Sequence, residues 1–173
     1  AAHPRPSNTV FRRLAVCVIV ATVIVTVSGA VVRLSKSGLG CSDWPTCEAD
    51  SFAASFDDRH ATIEFVNRML SGLLGLPILV LLVASIRRRP FRRDYFAWSV
   101  GLLVGVVAEA LLGAVVVRLH LTPVSVIGHF LLAMVILWMA IVLHHKAKTP
   151  DRGGDADGQL PIRRDLLVSE RVH

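Results

Sequence analysis

The chain has few charged and few aromatic residues for its length. Of its 173 residues, 18% are Asp, Glu, Lys or Arg and 6% are Phe, Trp or Tyr, whereas a soluble domain carries about 25% charged residues. This deficit disfavours an ordinary soluble enzyme, a disordered chain and a coiled coil. With three cysteines, the chain also lacks the cysteine density of a disulfide scaffold.

Four long apolar runs make up most of the remaining sequence. A helix needs about 20 mostly apolar residues to cross a bilayer, and such runs occupy residues 14–32, 63–86, 96–117 and 124–143. The first run is too long for the core of a signal peptide and no cleavage motif follows it, so we expect it to be retained. We therefore predict an all-α polytopic membrane protein, an antiparallel bundle of four transmembrane helices.

The basic residues predict how these helices are oriented. The formal net charge is +6, and Arg and Lys gather before the first run, between the second and third, and after the fourth. Because short cytoplasmic loops are rich in Arg and Lys, we expect both termini on the cytoplasmic side of the plasma membrane and residues 33–62 outside. Residues 1–147 would form the bundle in contact with lipid, and residues 148–173 a polar cytoplasmic tail or linker. We expect no nucleic-acid partner.

Ionisable side chains within the runs are candidate functional residues, because a charge inside a bilayer costs at least a few kcal/mol. Glu64, Asn67 and Arg68 are spaced to share one helical face near the outer end of the second run. They fit either an interfacial ion pair or the lining of a cavity. Glu109 has a glycine about one turn to either side, which fits a protonated carboxyl bonded to another helix or a proton path.

The predicted topology brings further polar residues to the same outer end. His129 begins the fourth run and fits either a packing residue or a metal ligand, and His120 lies in the link before it. Three arginines join them: Arg33, Arg68 and Arg118. An imidazole that can ligate iron, arginines that can meet propionates and apolar helix faces are what a porphyrin requires.

Two cysteines lie close together in the predicted outer loop. On the oxidising side of a membrane, Cys41 and Cys47 are expected to form a disulfide or a redox-active pair rather than free thiols. A zinc site is disfavoured, because the loop has no second cysteine pair and His60 is its only histidine.

Several segments together carry a family resemblance. Residues 29–47 read GAVVRLSKSGLGCSDWPTC, residues 63–68 read IEFVNR, and residues 112–121 read LGAVVVRLHL. With His129, they resemble the N-terminal half of the haem A synthase (COX15/CtaA) family. The stretch Ser-Gly-Leu-x-Cys-x-Asp-Trp-Pro-x-Cys is specific, whereas the other segments are weaker alone.

The resemblance implies a membrane oxidoreductase that converts the C8 methyl of haem O to a formyl group, giving haem A for cytochrome oxidase. It implies haem b as cofactor, haem O as substrate and haem O synthase as the upstream partner. Family members have eight spanning helices in two pseudo-symmetric halves, so this half would need a second half or a homo-oligomer. The resemblance assigns catalysis to Glu64 and iron ligation to His129, and it matches Cys41 and Cys47 to the family's outer-loop pair.

One position departs from the family pattern, since the family commonly has histidine where this chain has Asn67. An amide is a poor iron ligand, so we expect iron to be five-coordinate on His129 or to take a second ligand from His60 or His120. We expect the arginines named above to bind propionates, with Asn67 also contacting the cofactor. The alternative function is a non-catalytic haem-binding bundle for electron transfer or haem delivery. A small transporter that uses Glu109 is a more distant alternative, which the cysteine loop disfavours.

Overall fold

The computed structural model describes residues 8–48 and 50–148, and every regular element in that part of the chain is an α-helix. The helices are α1 (Asn8–Leu34), α2 (Arg59–Leu73), α3 (Gly75–Arg87), α4 (Arg93–Arg118) and α5 (Pro123–Lys146). Together α2 and α3 make one span, so the described residues contain four segments of 24 to 29 residues that are long and apolar enough to cross a membrane. The predicted all-α fold with four spanning helices is confirmed. Apart from Lys148, the predicted tail lies outside the described residues.

The second span has a one-residue interruption in its helical hydrogen bonding, at a point where the backbone angles remain those of a helix. The break falls at Leu74, between α2 and α3. Pro77 explains its position, because proline has no N–H to donate to the carbonyl of Leu73 and its ring collides with that carbonyl in a regular helix. The predicted second span is present, as one segment from Arg59 to Arg87.

The same span also begins four residues earlier than predicted, at Arg59. Asp58 is the reason, since its Oδ1 accepts hydrogen bonds from the backbone N–H groups of His60 and Ala61, at 2.7 and 3.3 Å. These bonds satisfy donors that have no partner at the start of a helix.

The four spans pack as a closed ring at one end of the bundle. There α3 packs against α1 and α4, while α5 packs against α1 and α4. Pairs of facing residues show that α4 and α5 run antiparallel: Gly101 faces Met139, Gly105 faces Ile136 and Gly113 faces His129. We call this closed end, which carries the link 88–92, the basic end. The opposite end, which carries residues 35–58 and 119–122, is the loop end.

An aromatic and cationic stack anchors the basic end. Phe11 and Tyr95 are fully buried and their rings stack with centroids 4.3 Å apart. The Arg92 guanidinium lies 4.0 Å from the centre of the Tyr95 ring, and the Tyr95 hydroxyl donates a hydrogen bond to the backbone carbonyl of Lys146. This stack joins the starts of α1 and α4 to the end of α5.

The loop end is more open, because α2 does not continue the ring. Helix α2 packs against α1, but its backbone contacts with α4 and α5 are marginal at most. The break at Leu74 therefore separates a half-span that belongs to the ring, α3, from one that leaves it. As a result, α4 lacks at the loop end the helical neighbour, α3, that it has at the basic end.

Candidate functional site

The two loop cysteines are joined and buried. Cys41 and Cys47 form a disulfide with an S–S distance of 2.02 Å, and their exposed fractions are 4% and 0%. Around them pack Ala54 and Ala61, with Phe65 alongside. Because neither sulfur is exposed, the structure favours a role in holding the loop over exchange of electrons with another protein.

Glu64 attaches this disulfide loop to α2. The side chain is buried, and its Oε2 accepts a hydrogen bond from the backbone N–H of Cys41 at 3.0 Å. Its Oε1 pairs with the Arg68 guanidinium one helical turn away. Both carboxylate oxygens therefore have partners among the described residues.

Arg68 completes the attachment from the same helical face. Its Nη1 donates to the backbone carbonyl oxygens of Asp43 and Thr46, each at 2.7 Å. Both carbonyls belong to the ring of residues closed by the disulfide. Of the two alternatives for these residues, the Glu64–Arg68 ion pair is present. Together with the bonds to the loop backbone, it forms what we call the loop clamp, which fixes the loop on the start of α2.

The loop also closes the end of the bundle by close backbone contact. A Cβ atom at Gly40 would lie 2.4 Å from the backbone carbon of His60, so only glycine fits there. The buried Ser37 hydroxyl lies 3.0 Å from His60 Nδ1. Nearby, Gly38 contacts Leu121 in the link between α4 and α5. Residues 37–41 therefore pack between the start of α2 and the link between α4 and α5.

Asn67 points elsewhere than its neighbours on α2. Its Oδ1 is 3.9 Å from where a Cβ would lie at Gly29 on α1. That oxygen is buried, and no hydrogen-bond partner for it occurs within the described part of the chain. A buried polar atom without a partner costs free energy, so this oxygen is a candidate contact for a bound group.

His129 and Glu109 meet across the interface of α4 and α5. His129 Nδ1 lies 3.3 Å from Glu109 Oε1, and the His129 side chain is 37% exposed. Oε2 of Glu109 and Nδ1 of His129 are buried atoms with no hydrogen-bond partner in residues 8–48 and 50–148. The pair is therefore in contact without a completed hydrogen bond.

The remaining predicted site residues lie at the surface of the loop end. Arg33 and Arg118 end α1 and α4, and both are exposed. Neither makes an ion pair with another described residue, so both can meet an anionic group. His120 is exposed in the turn after α4, where its backbone has a φ of 52°. It precedes His129 by nine residues in the sequence, and His129 itself lies six residues, or about 9 Å along the axis, after the start of α5 at Pro123.

The structure thus divides the predicted residues into two groups. Glu64 and Arg68 join Cys41 and Cys47 in the loop clamp, whereas Asn67 and His129 remain without completed hydrogen bonds inside the bundle. A separate groove of ≈ 330 Å³ between α1 and α2 is lined by Ser28, Val31, Thr62, Ile63 and Val66. That groove contains no ionisable side chain, so a metal or acid–base site does not lie there.

The donor set fits a porphyrin better than a bare metal ion. Within the described ranges, no three His, Cys, Asp or Glu side chains are grouped closely enough to hold a metal ion. A porphyrin supplies four ligands itself, and a protein needs only one or two axial ligands such as histidine. A single imidazole at the open loop end, with an unpartnered amide on α2, meets that requirement.

Comparison with known proteins places this site in a family. The family model described as COX15-CtaA, cytochrome oxidase assembly protein, matches residues 12–168. The haem A synthase of Lysinibacillus sphaericus is 27% identical over 151 residues, which cover 87% of this chain and 49% of that protein. The haem A synthase of Bacillus licheniformis is 27% identical over 129 residues, which cover 74% of this chain and 42% of that protein. The haem A synthase of Bacillus cereus is 30% identical over 131 residues, which cover 75% of this chain and 42% of that protein.

The chain spans about half the length of the curated relatives that it matches. The similarity extends from α1 beyond α5 and so includes both groups of site residues.

The loop clamp predicts a large effect of Arg68→Gln. The variant loses two bonds to loop carbonyls and leaves Glu64 as a buried charge without its partner, which costs about 3–5 kcal/mol. In a Cys17→Ser background, where the one other cysteine is removed, we expect dithiothreitol to reduce the disulfide roughly 100-fold faster than in wild type.

The matched control is Arg33→Gln, which removes an exposed arginine at the same end and should leave the reduction rate unchanged. Equal reduction rates for Arg68→Gln and wild type would show that Arg68 does not hold the loop.

The close approach at position 40 predicts that Gly40→Ala destabilises the protein. The added methyl overlaps the backbone of α2, and relief of such overpacking costs about 1–3 kcal/mol. Gly72→Ala is the control, because a Cβ there meets no atom within 4 Å and alanine favours a helix. Thermal unfolding in detergent, followed by circular dichroism, should show a lower Tm for Gly40→Ala only; a Tm equal to that of wild type would contradict the packing.

Proposed function

The chain belongs to the COX15-CtaA family, and from that premise we propose that it acts in the conversion of haem O to haem A. The reaction would oxidise the C8 methyl of haem O to a formyl group, providing haem A for cytochrome oxidase. The observation that carries the proposal is the loop end itself: the His129 side chain is 37% exposed, the buried Asn67 Oδ1 has no hydrogen-bond partner among the described residues, and α2 makes at most marginal contact with α4 and α5.

The proposal assigns the binding of a haem to a small set of side chains. His129 would ligate the iron through one imidazole nitrogen, and Asn67 would offer its amide to the porphyrin edge. The exposed arginines Arg33 and Arg118 would bind propionates by charge-assisted hydrogen bonds. Arg68 would contribute by holding the loop, because its guanidinium is already engaged with Glu64 and two carbonyls. When bound, haem b supplies a redox-active iron, whereas haem O is the substrate.

The loop clamp would shield this end of the bundle from water. The disulfide loop is fixed to α2 by Glu64 and Arg68 and rests on the α4–α5 link through Gly38. A fixed cover keeps a hydrophobic substrate oriented and strengthens electrostatic interactions beneath it. In this proposal Glu64 acts from the edge of the cover, where its carboxylate would exchange a proton or stabilise positive charge near the reacting methyl.

A second candidate function is supported by the engagement of Glu64. Both of its oxygens have partners in the loop clamp, which is the arrangement expected of a structural residue. Asn67, in place of a second histidine, also leaves fewer iron ligands than two tightly bound haems need. Both observations favour a bundle that holds haem for electron transfer or delivery without turnover.

The proposal includes a membrane orientation and partners. The link 87–93 carries five arginines at the basic end, which supports cytoplasmic termini and a loop end on the outer side of the plasma membrane. Because the chain spans about half of its relatives, we propose that a second half or a second copy completes the active unit. Haem O synthase is the proposed source of substrate.

Haem binding by His129 is tested with the purified chain in detergent. We expect a Soret absorption band after reconstitution with haem, and at least a tenfold loss of haem affinity in His129→Leu, because the iron loses its axial ligand. His145→Leu, which removes an exposed imidazole at the opposite end of α5, is the control and should bind haem as wild type does. A wild-type protein that folds but stays colourless with haem would refute the proposal.

Catalysis by Glu64 is tested with Glu64→Gln, which keeps an acceptor for the Cys41 N–H while removing the carboxylate. We expect the variant, produced together with haem O synthase, to retain haem and to accumulate haem O. Chromatography of the extracted haems measures this ratio. Haem A output equal to that of wild type would instead exclude Glu64 from catalysis, and a wild type that makes no haem A would favour the binding function.

A further inference from the structure

Glu109 is a carboxyl group within a membrane-spanning helix for which the proposed function has no use. It lies on α4, nine residues before the helix ends at Arg118. Such a group is expensive in a bilayer and is kept where it meets a partner. Its nearest ionisable neighbour is His129 on α5, with Oε1 and Nδ1 3.3 Å apart.

The antiparallel register of α4 and α5 explains why these two side chains meet. Gly113, one turn after Glu109, faces the His129 ring, and a Cβ there would lie 3.4 Å from Cε1 and 4.0 Å from Nε2. The absence of a side chain at position 113 lets the imidazole lie against α4. Its Nδ1 edge is then brought to the Glu109 carboxyl one turn away.

His129 and Glu109 each have a side-chain atom that lacks a hydrogen bond which the other residue could provide. His129 Nδ1 and Glu109 Oε2 are buried atoms without a hydrogen-bond partner among the described residues. A small rotation of either side chain would turn the 3.3 Å contact into a hydrogen bond. A neutral imidazole carries its proton on one nitrogen only, so a bond at Nδ1 decides that Nε2 has the free lone pair.

We propose that Glu109 is a positioning residue for His129: a carboxyl oxygen accepts the Nδ1–H of the imidazole, fixing the ring and leaving Nε2 free to ligate iron. Histidines that bind metals commonly donate their other N–H to such a partner, which sets ring orientation and ligand basicity. The iron part of this inference rests on the proposed function. The Nδ1–H···O hydrogen bond from His129 to Glu109, and the tautomer that it sets, involve the protein alone and are expected in the haem-free chain as well.

The tautomer is measured by ¹⁵N NMR of the haem-free protein labelled at histidine, with the His129 signal identified by its loss in His129→Gln. We expect the Nδ1-protonated form in wild type and a shift toward the Nε2-protonated form in Glu109→Leu. Glu109→Gln keeps a side-chain oxygen as acceptor and should retain the wild-type tautomer. Leucine suits a membrane-spanning helix, so Glu109→Leu is expected to fold.

Haem affinity gives the second readout. We expect Glu109→Leu to bind haem about 10–100-fold more weakly than wild type, with a more positive reduction potential because the imidazole becomes a poorer donor. The matched control is Ala110→Leu, which adds the same side chain at an exposed neighbouring position of α4 and should change neither property.

Two results would overturn the inference: an Nε2-protonated His129 in wild type, or a Glu109→Leu variant whose tautomer and haem affinity equal those of wild type. These results differ from failure of the proposed function. If the proposed function fails, the wild-type protein binds no haem. The tautomer of His129, measured in the haem-free protein, would still show whether Glu109 positions the imidazole.

Discussion

A polar group enclosed by membrane-spanning helices has no water to bond with, so it must find its partner in the protein or in a bound molecule. This constraint organises the loop end of the bundle. Glu64 and Arg68 meet it completely, because they bond to each other and to the backbone of the disulfide loop. Asn67, Glu109 and His129 leave polar atoms without partners. The first group fixes the disulfide loop, and the second contains the residues to which we assign the proposed haem site.

The two halves of the second span, which meet at Leu74, pack differently. Below Leu74, α3 packs on α4 and closes the basic end, which the buried stack of Phe11 on Tyr95 reinforces. On the loop side of Leu74, α2 packs against α1 and carries the clamp, and its contacts with α4 and α5 are marginal at most. Pro77 therefore lies in the half of the second span that packs on α4, shortly after the point where the two halves meet.

The number and place of the spans could be predicted from sequence, because a bilayer imposes length and apolarity on every helix that crosses it. The ion pair of Glu64 with Arg68 was also predictable, since the spacing of four residues places both on one face. The break at Leu74 was missed, although Pro77 signals it. The Glu109–His129 contact depends on the register of α4 against α5, and neither local spacing nor composition determines that register. The fit of Gly40 against α2 likewise depends on the folded loop.

The central claim is that a haem binds at the loop end with its iron on His129. The most direct measurement is the position of iron in the haem-loaded chain, determined by anomalous diffraction at the iron absorption edge. The account predicts a single iron on the His129 imidazole, between α2 and the pair α4–α5, below the disulfide loop. Iron at the basic end, or a loop end in which α2 packs against α4 and leaves no space for a porphyrin, would contradict it.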